Sequence, residues 1–291
     1  MNKYVLSVLL LFRCLNSSAQ DSLLRLWYDH PAGSVWEAAL PMGNGHLGAM
    51  VYGNTDSECI KLNESTLWIG GPNRNDNPHA LESLSEIRKL IFEGKNEAAA
   101  KLASEKVQSE KINGMTYQPA ADLHLFFPGH QKPENYYREL DLSRAVQKTR
   151  YVVDGVQFIR ESFVSMSDRI LVIRFTSNSR GSINFNASLS SLQRSLVSLN
   201  ANNELVLSGI SGDHDGVKGI VKFRCILRTR ISGGSLSGAG NSVEIRHADS
   251  VTLYISIATN FVNYNKLDAD EARLAAYYLD NSTDKSYEQL L

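Results

Sequence analysis

Residues 36–78 read WEAALPMGNGHLGAMVYGNTDSECIKLNESTLWIGGPNRNDNP, and this segment decides the fold. Its short apolar pieces have strand character and are interrupted by six glycines: Gly43, Gly45, Gly48, Gly53, Gly70 and Gly71. Because glycine weakens a strand, repeated glycines mark tight corners or the close approach of another backbone. The segment therefore predicts short strands joined by tight turns.

From Leu123 onward the apolar residues recur with a period of two, which is typical of strands. Asp154-Gly155 between two such runs predicts a hairpin, because this pair suits the mirror-image turn that strand twist favours. Further strands are predicted at 170–177, 183–189, 204–210, 217–231, 243–247 and 251–259. Many strands at short spacing indicate an all-β fold, here one large antiparallel β-sandwich.

Two stretches have helical spacing instead. A helical insertion is predicted after Asn77-Pro78, with Gly94 as the C-terminal cap of its first helix and a second helix near 98–107. A C-terminal helix is predicted at 268–279, with Asp268 and Glu271 as its cap pair. Another is predicted to start at Ser282 or Thr283 and to run to the last residue.

Residues 1–19 are expected to be a secretory signal peptide, which predicts a secreted or periplasmic protein. Lys3 supplies the positive region, an apolar run follows to Phe12, and small residues end at Ala19. A membrane-spanning helix needs about 20 apolar residues, and this run is about half that length. We therefore favour cleavage over anchoring.

The charge balance and the cysteine content indicate which classes of partner and ligand are not expected. The sequence has 30 basic and 31 acidic residues and no basic stripe, so neither nucleic acid nor a membrane is expected as a partner. Cys59 and Cys225 could form one disulfide or remain buried thiols, and their place in apolar strand patterns favours thiols. No Cys/His spacing suggests zinc, so we expect no metal and no cofactor.

Seven phrases carry a resemblance to a known family. They are WEAALPMGNGHLGAMVYG, IKLNESTLWIGGP, NPHALESLSEIRKLIFEG, YQPAADLHLFF, YYRELDLSRAV, DGVQFIRESFVSMSD and SYEQLL, in that order. Together they resemble the N-terminal domain of glycoside hydrolase family 95, whose best-known activity is α-L-fucosidase. The resemblance implies a β-sandwich (a supersandwich) over 20–265 and a helical linker over 266–291 that leads into an (α/α)6 catalytic domain.

The resemblance also implies that catalysis happens elsewhere. In the family, a glutamic acid of the barrel protonates the leaving oxygen, and asparagine side chains and an aspartate activate a water that attacks with inversion. Twelve helices need at least roughly 200 residues, and fewer than thirty follow Asn263. We therefore assign no catalytic residue to this chain and expect it to be inactive alone. The expected partners are its own catalytic domain and a fucosylated oligosaccharide.

Five residues are candidates for a substrate-facing or interdomain site: Asn44, His46, Asn63, Glu64 and Trp68. Amides, a carboxylate and an indole can recognise sugars through hydrogen bonds and stacking. The same residues could instead brace a corner or dock the sandwich on the barrel, and we favour that interpretation. It predicts that Trp68 is buried. At position 46 the family usually has arginine, so a contact made there would change.

Alternatives to these assignments stay open. The carboxylates of Asp56, Glu58 and Glu64 are predicted to lie at the surface or in turns, and residues 213–216 are predicted to form a solvated turn rather than a metal loop. The chain could also be a stand-alone carbohydrate-binding module or a structural remnant without a ligand. Because the catalytic domain is expected to be missing, we expect 268–291 to be a mobile edge with nothing to pack against.

Overall fold

The computed structural model describes residues 24–109 and 114–291, so the predicted signal peptide at 1–19 lies outside the described residues. The strands in chain order are β1 (Arg25–Tyr28), β2 (Leu40–Gly43), β3 (Leu47–Val51), β4 (Ser57–Glu64), β5 (Ala121–Phe126), β6 (Glu134–Asp141), β7 (Val146–Val153), β8 (Val156–Val164), β9 (Leu171–Ser177), β10 (Ile183–Ser190), β11 (Arg194–Leu199), β12 (Leu205–Ile210), β13 (Lys222–Ser232), β14 (Ser235–Ala239), β15 (Ser242–Ala248) and β16 (Ser250–Thr259).

These strands form two antiparallel sheets, which confirms the predicted all-β sandwich. The nine-stranded sheet has the order β1-β6-β7-β8-β9-β16-β13-β12-β11, and the seven-stranded sheet has the order β14-β15-β10-β5-β4-β3-β2. Alternate side chains of each strand point to the interior, as the period of two requires. The main core lies between the sheets and includes the fully buried Leu123, Phe185, Leu205 and Ile245.

The predicted hairpin at Asp154-Gly155 is confirmed, and both residues have the positive φ that its mirror-image turn needs, 48° and 75°. All six strands predicted from 170 onward are present, five of them with small shifts at their ends, whereas the strand predicted at 217–231 begins only at Lys222. Two further strands, β11 and β14, were not predicted. They are rich in serine or glycine and lie at the sheet edges, where burial imposes little apolar alternation.

The helical insertion is confirmed between β4 and β5. It consists of α1 (Ala80–Phe92) and α2 (Asn96–Lys106). Gly94 ends the first helix with a φ of 72°, a conformation that glycine adopts without steric cost. The helices pack on each other. Each buries one residue, Ile87 in α1 and Ala99 in α2. Among the described residues, no helix is both long and apolar enough to cross a membrane.

The C-terminal helices α3 (Glu271–Asp280) and α4 (Tyr287–Leu290) lie against the outer face of the nine-stranded sheet. The expectation that nothing covers them is wrong. Their buried residues join outward-facing side chains of the sheet in a second apolar cluster that includes Phe163, Ile170, Val172, Tyr254, Ala275, Leu279 and Leu290. This packing exists because β16 is buried on both faces, with Tyr254 and Ala258 among its outward-facing residues.

The predicted caps of these helices are also wrong. The N-cap of α3 is Asp270, whose side chain accepts a hydrogen bond from the backbone N–H of Arg273. Ser286 caps α4, where it forms a reciprocal capping box with Gln289. Helix starts are poorly fixed by pattern alone when several acidic or hydroxyl residues occur in succession. The proposed boundary between sandwich and linker at residue 265 stays a prediction.

Candidate functional site

The period of two in β4 separates neighbouring candidate residues. Asn63 lies on the outer face of the seven-stranded sheet, opposite Gly48 of β3. Glu64 points to the interior face and is 6% exposed. The two side chains that adjoin in sequence therefore serve different surfaces. The phrase LNESTLW does not form one site.

Glu64 lies at one end of the sandwich, in a cavity of about 290 Å³ that we call the end cavity. The cavity forms where the β2–β3 turn, the segment after β4, the loop before β9 and the segment after β16 meet α3. Its lining is His46, Leu47, Glu64, Thr66, Arg169, Ile257, Ala258, Thr259, Phe261, Val262, Leu274 and Tyr278. The volume is near the lower limit of small-molecule sites, and the lining combines polar groups with aromatic faces.

The carboxyl of Glu64 is partly committed to its own loop. The backbone N–H and the hydroxyl of Thr66 both donate to the same oxygen, Oε2, at 2.8 and 2.6 Å. Burial raises the pKa of Glu64, whereas these hydrogen bonds and the charges of His46 and Arg169 act in the opposite direction. The prediction of a surface carboxylate is wrong for Glu64, because β4 still alternates at its last residue and directs this side chain inward.

Asn44 organises the turn that brings His46 to the cavity. Its Oδ1 accepts hydrogen bonds from the backbone N–H groups of His46 and Leu47 at 3.0 and 2.8 Å. Its Nδ2 donates to the backbone oxygen of Ser165, at the end of β8 in the other sheet, at 2.8 Å. Gly45, between Asn44 and His46, has a φ of 84°. Asn44 thus ties the two sheets together at this end of the sandwich.

Trp68 is 45% exposed, so the prediction of burial is wrong. The residue follows the end of β4, where the chain has left the sheet and the interior no longer needs an apolar side chain. Its Nε1 donates to the backbone oxygen of Ser65 at 3.0 Å, and its ring lies 5.4 Å from that of Tyr117. Trp68 also lines an adjoining cavity of about 350 Å³, which shares Thr66 and Phe261 with the end cavity.

Asn63 lines a third cavity, of about 420 Å³, on the outer face of the seven-stranded sheet. Its neighbours there include Trp36, Lys61, Tyr117, Asp122 and Leu192. The structure therefore brings His46 and Glu64 together and places Asn63 and Trp68 in other cavities. The roles of these side chains in binding stay predictions.

Sequence reasoning did not find Arg169, Thr259 and Tyr278 of the end cavity. They come from two strand ends and a helix that are distant in sequence, so no local pattern joins them. One geometric feature is informative: Arg169 has a φ of 56°, which is uncommon for a residue other than glycine. Its guanidinium lies near the ring of Tyr278 and donates to the Tyr278 hydroxyl at 3.2 Å.

The remaining sequence candidates have structural explanations. Residues 213–216 form a turn in which His214 pairs with Val217, as predicted. Cys59 and Cys225 are free thiols in different sheets, so the favoured interpretation is confirmed over a disulfide. Cys225 is buried as predicted, but the prediction of burial is wrong for Cys59, which lies half-buried on the outer face of β4. Glu58 is 3% exposed, so its prediction as a surface carboxylate is wrong. Like Glu64, it occupies an inward position of β4.

The fold and the end cavity can now be set beside known proteins. Residues 26–264 match the family model described as "Glycosyl hydrolase family 65, N-terminal domain", and the chain belongs to this family. "Alpha-L-fucosidase 2" of Arabidopsis thaliana is 33% identical over 261 residues, which are 82% of this chain and 30% of that protein. "Probable alpha-fucosidase A" of Aspergillus oryzae is 25% identical over 266 residues, 85% of this chain and 35% of that protein.

A solved structure supports the fold alone. "Putative kojibiose phosphorylase from human microbiome" has a TM-score of 0.52 and 13% identity, over 93% of this chain and 37% of that chain. The chain spans about a third of the length of the relatives from Arabidopsis and Aspergillus oryzae. These comparisons confirm the resemblance to the N-terminal domain of a glycoside hydrolase with α-fucosidase relatives.

Proposed function

We propose that this chain is the N-terminal domain of a secreted α-L-fucosidase that hydrolyses fucosylated glycans with inversion. The observation that carries the proposal is the family match over residues 26–264 together with relatives named as α-fucosidases. Catalysis is assigned to a separate domain, because the matched family model describes an N-terminal domain and the chain spans about a third of the length of these α-fucosidase relatives. The sandwich supplies a framework and a contact surface.

Within this proposal, the end cavity is the part of the sandwich that contacts the catalytic domain or the glycan held by it. Glu64, His46 and Arg169 offer a carboxyl, an imidazole and a guanidinium in one concave site. Phe261 and Tyr278 add aromatic faces. Hydrogen-bonding groups beside aromatic faces suit a sugar. The hydrogen bonds from Thr66 reach only one oxygen of Glu64, which leaves the other for a further partner.

An assay with an aryl α-L-fucoside tests whether catalysis takes place in a separate domain. The 291-residue chain should give no turnover above a blank, because general acid–base groups contribute orders of magnitude in rate. A gene product that continues in frame past Leu291 into a catalytic domain should hydrolyse the same substrate. Turnover by the chain alone would contradict the assignment of catalysis to another domain. Failure of the continued product on fucosides would contradict the fucosidase assignment.

Secretion is supported by the charged, apolar and small-residue segments of residues 1–19. N-terminal sequencing of the protein recovered from the extracellular or periplasmic fraction of its source should begin at Gln20. Recovery only inside the cell with Met1 retained would contradict secretion.

A second candidate function is carbohydrate binding independent of a catalytic domain, and the exposure of Trp68 favours it. Exposed indole rings stack on sugars with an affinity on the order of millimolar. Titration with a fucosylated glycan should then change the fluorescence of the wild type and not that of Trp68→Phe. The other two tryptophans, Trp27 and Trp36, are also exposed, so this variant is needed to assign the change.

A further inference from the structure

Three metal-ligand residue types lie side by side on the outer face of the seven-stranded sheet. Cys59 of β4 is directly opposite His124 of β5 in the strand register. Asp122 precedes His124 by two residues, so it shares the same face. One potential ligand atom of each residue lies within 4.8 Å of the others.

We propose that Cys59, Asp122 and His124 form a binding site for Zn²⁺. A thiolate, an imidazole and a carboxylate are the ligands that zinc takes in proteins, whereas calcium and magnesium select oxygen ligands. Zinc bonds of about 2.0–2.3 Å hold tetrahedral ligands about 3.5 Å apart. Side-chain rotations that bring the three ligand atoms about 1 Å closer together would fill three tetrahedral positions, and water would take the fourth.

The ring of His124 is already held by a partner outside the cluster. Its Nε2 lies 2.8 Å from the Oγ of Ser190, on the neighbouring strand β10. With the proton on Nε2, this nitrogen donates to the hydroxyl and leaves Nδ1 as the metal ligand. Metal-bound histidines commonly use their second nitrogen in this way, which fixes the ring and the tautomer.

Lys61 competes with the ion for Asp122. Its Nζ lies 2.6 Å from Oδ2 of Asp122, across the β4–β5 pair. The lysine side chain is 36% exposed, so its ammonium can swing into solvent. Partly exposed ion pairs contribute little stability, and the ion would replace the ammonium as the positive partner of the carboxylate. Removal of this competitor should therefore tighten metal binding.

The site could not be found from residue spacing. Cys59 and the pair Asp122 and His124 are more than 60 positions apart, with the helical insertion between them. Motif reasoning looks for ligands that are close in sequence, and here the strand pairing brings them together. The earlier expectation of no metal rested on spacing alone.

The test is titration of the metal-free full chain with Co²⁺, followed by displacement with Zn²⁺. We expect one equivalent to bind with a sulfur-to-cobalt charge-transfer band in the near ultraviolet, and Zn²⁺ to abolish the band. Cys59→Ser should remove the band, and His124→Ala should weaken binding at least about 100-fold. Lys61→Met should tighten binding several-fold.

The other two cysteines supply matched controls. Cys225 is fully buried on the inner face of β13, in the other sheet, and Cys14 lies in the predicted signal segment. Cys225→Ala and Cys14→Ser should keep the band, with folding of every variant checked by circular dichroism. The proposal is overturned if the wild type shows no such band, or if folded Cys59→Ser retains it. Binding weaker than millimolar would also overturn it.

Discussion

Two glutamates at opposite ends of β4 have different surroundings. Glu58 and Glu64 are six positions apart, so both point to the interior face, and both are buried. Glu64 opens into the end cavity. Glu58 is enclosed at the other end, where it accepts hydrogen bonds from the backbone N–H groups of Gly53 and Cys59 at 2.7 and 3.0 Å.

The enclosed end is built around Arg160. Its guanidinium lies 3.9 Å from the centre of the Phe127 ring. It donates hydrogen bonds to the hydroxyl of Tyr151 at 2.6 Å and to the backbone oxygens of Asn54 and Thr55, just before β4. Burial raises the pKa of Glu58 to about 7, although the positive charge of Arg160 acts in the opposite direction. A buried carboxyl by itself therefore does not define a functional site. Access to a cavity distinguishes Glu64 from Glu58.

The largest expected effect is at the enclosed end. Arg160→Met removes a buried charge and leaves the backbone oxygens of Asn54 and Thr55 without its hydrogen bonds, so it should lower the free energy of unfolding by about 3–5 kcal/mol. Arg169→Met, at the exposed residue of the end cavity, should lower it by less than about 1 kcal/mol. Urea unfolding of both variants measures the difference. Equal losses would contradict the contrast between the two ends.

The next effect is on the pH dependence of stability. Two groups of the enclosed end contribute to it with opposite signs: Glu58, and His130, whose Nδ1 lies 2.9 Å from the hydroxyl of Tyr151. Glu58 binds its proton more tightly when folded, so its contribution to stability falls as pH rises from about 4.5 to about 7. Burial lowers the pKa of His130 to about 4, so its contribution rises with pH between about 4 and its ordinary value of 6.5. The two contributions largely cancel in the wild type.

Glu58→Gln removes one side of this balance. Its free energy of unfolding should rise by up to about 3 kcal/mol between pH 4 and pH 6.5, because Glu58 no longer offsets the His130 contribution. The wild type should be flatter over the same range. Unfolding curves at several pH values provide the comparison, and parallel profiles for the two proteins would show that Glu58 does not titrate as described.

The smallest expected effect is at Trp68. Because the indole is exposed, Trp68→Ala should lower the free energy of unfolding by about 1 kcal/mol or less, through loss of its contact with Tyr117 and its hydrogen bond. Leu67→Ala provides the matched control, since Leu67 is fully buried and should lose about 2–5 kcal/mol. A loss at Trp68 as large as that at Leu67 would contradict the exposed placement.

The sequence was sufficient for what local periodicity controls. Alternation located the central strands, and Asp154-Gly155 and Gly94 located a hairpin and a helix end. It failed where tertiary packing decides. Trp68 is apolar but lies beyond the last strand residue, and the helices at 271–290 pack on the outer face of the nine-stranded sheet, where Tyr254 and Ala258 of β16 are buried. Residues Leu253–Thr259 of β16 are all buried. A continuous run of mainly apolar residues such as this one is typical of a strand that is packed on both sides.

The candidate site was predictable only in part. His46 and Glu64 were identified from local residue types, but their meeting with Arg169, Thr259 and Tyr278 depends on the closure of the two sheets. Asn63 and Glu64 are adjacent in sequence and were therefore grouped together. The alternation of side chains along β4 places them on opposite faces of the sheet. The residue types in the sequence indicate which chemical groups are present. The strand face on which each side chain lies decides which of these groups can form one site.

The most direct test compares the kinetics of Glu64→Gln and Glu58→Gln in a protein that joins this domain to the proposed catalytic domain. If the end cavity contacts the catalytic domain or the glycan, Glu64→Gln should lower kcat/KM on an aryl α-L-fucoside at least about tenfold, equivalent to about 1.4 kcal/mol, with an unchanged Tm. Glu58→Gln should alter the pH dependence of stability and leave kcat/KM unchanged. An unchanged kcat/KM in Glu64→Gln would contradict the proposed contact of the end cavity with the catalytic domain or the glycan.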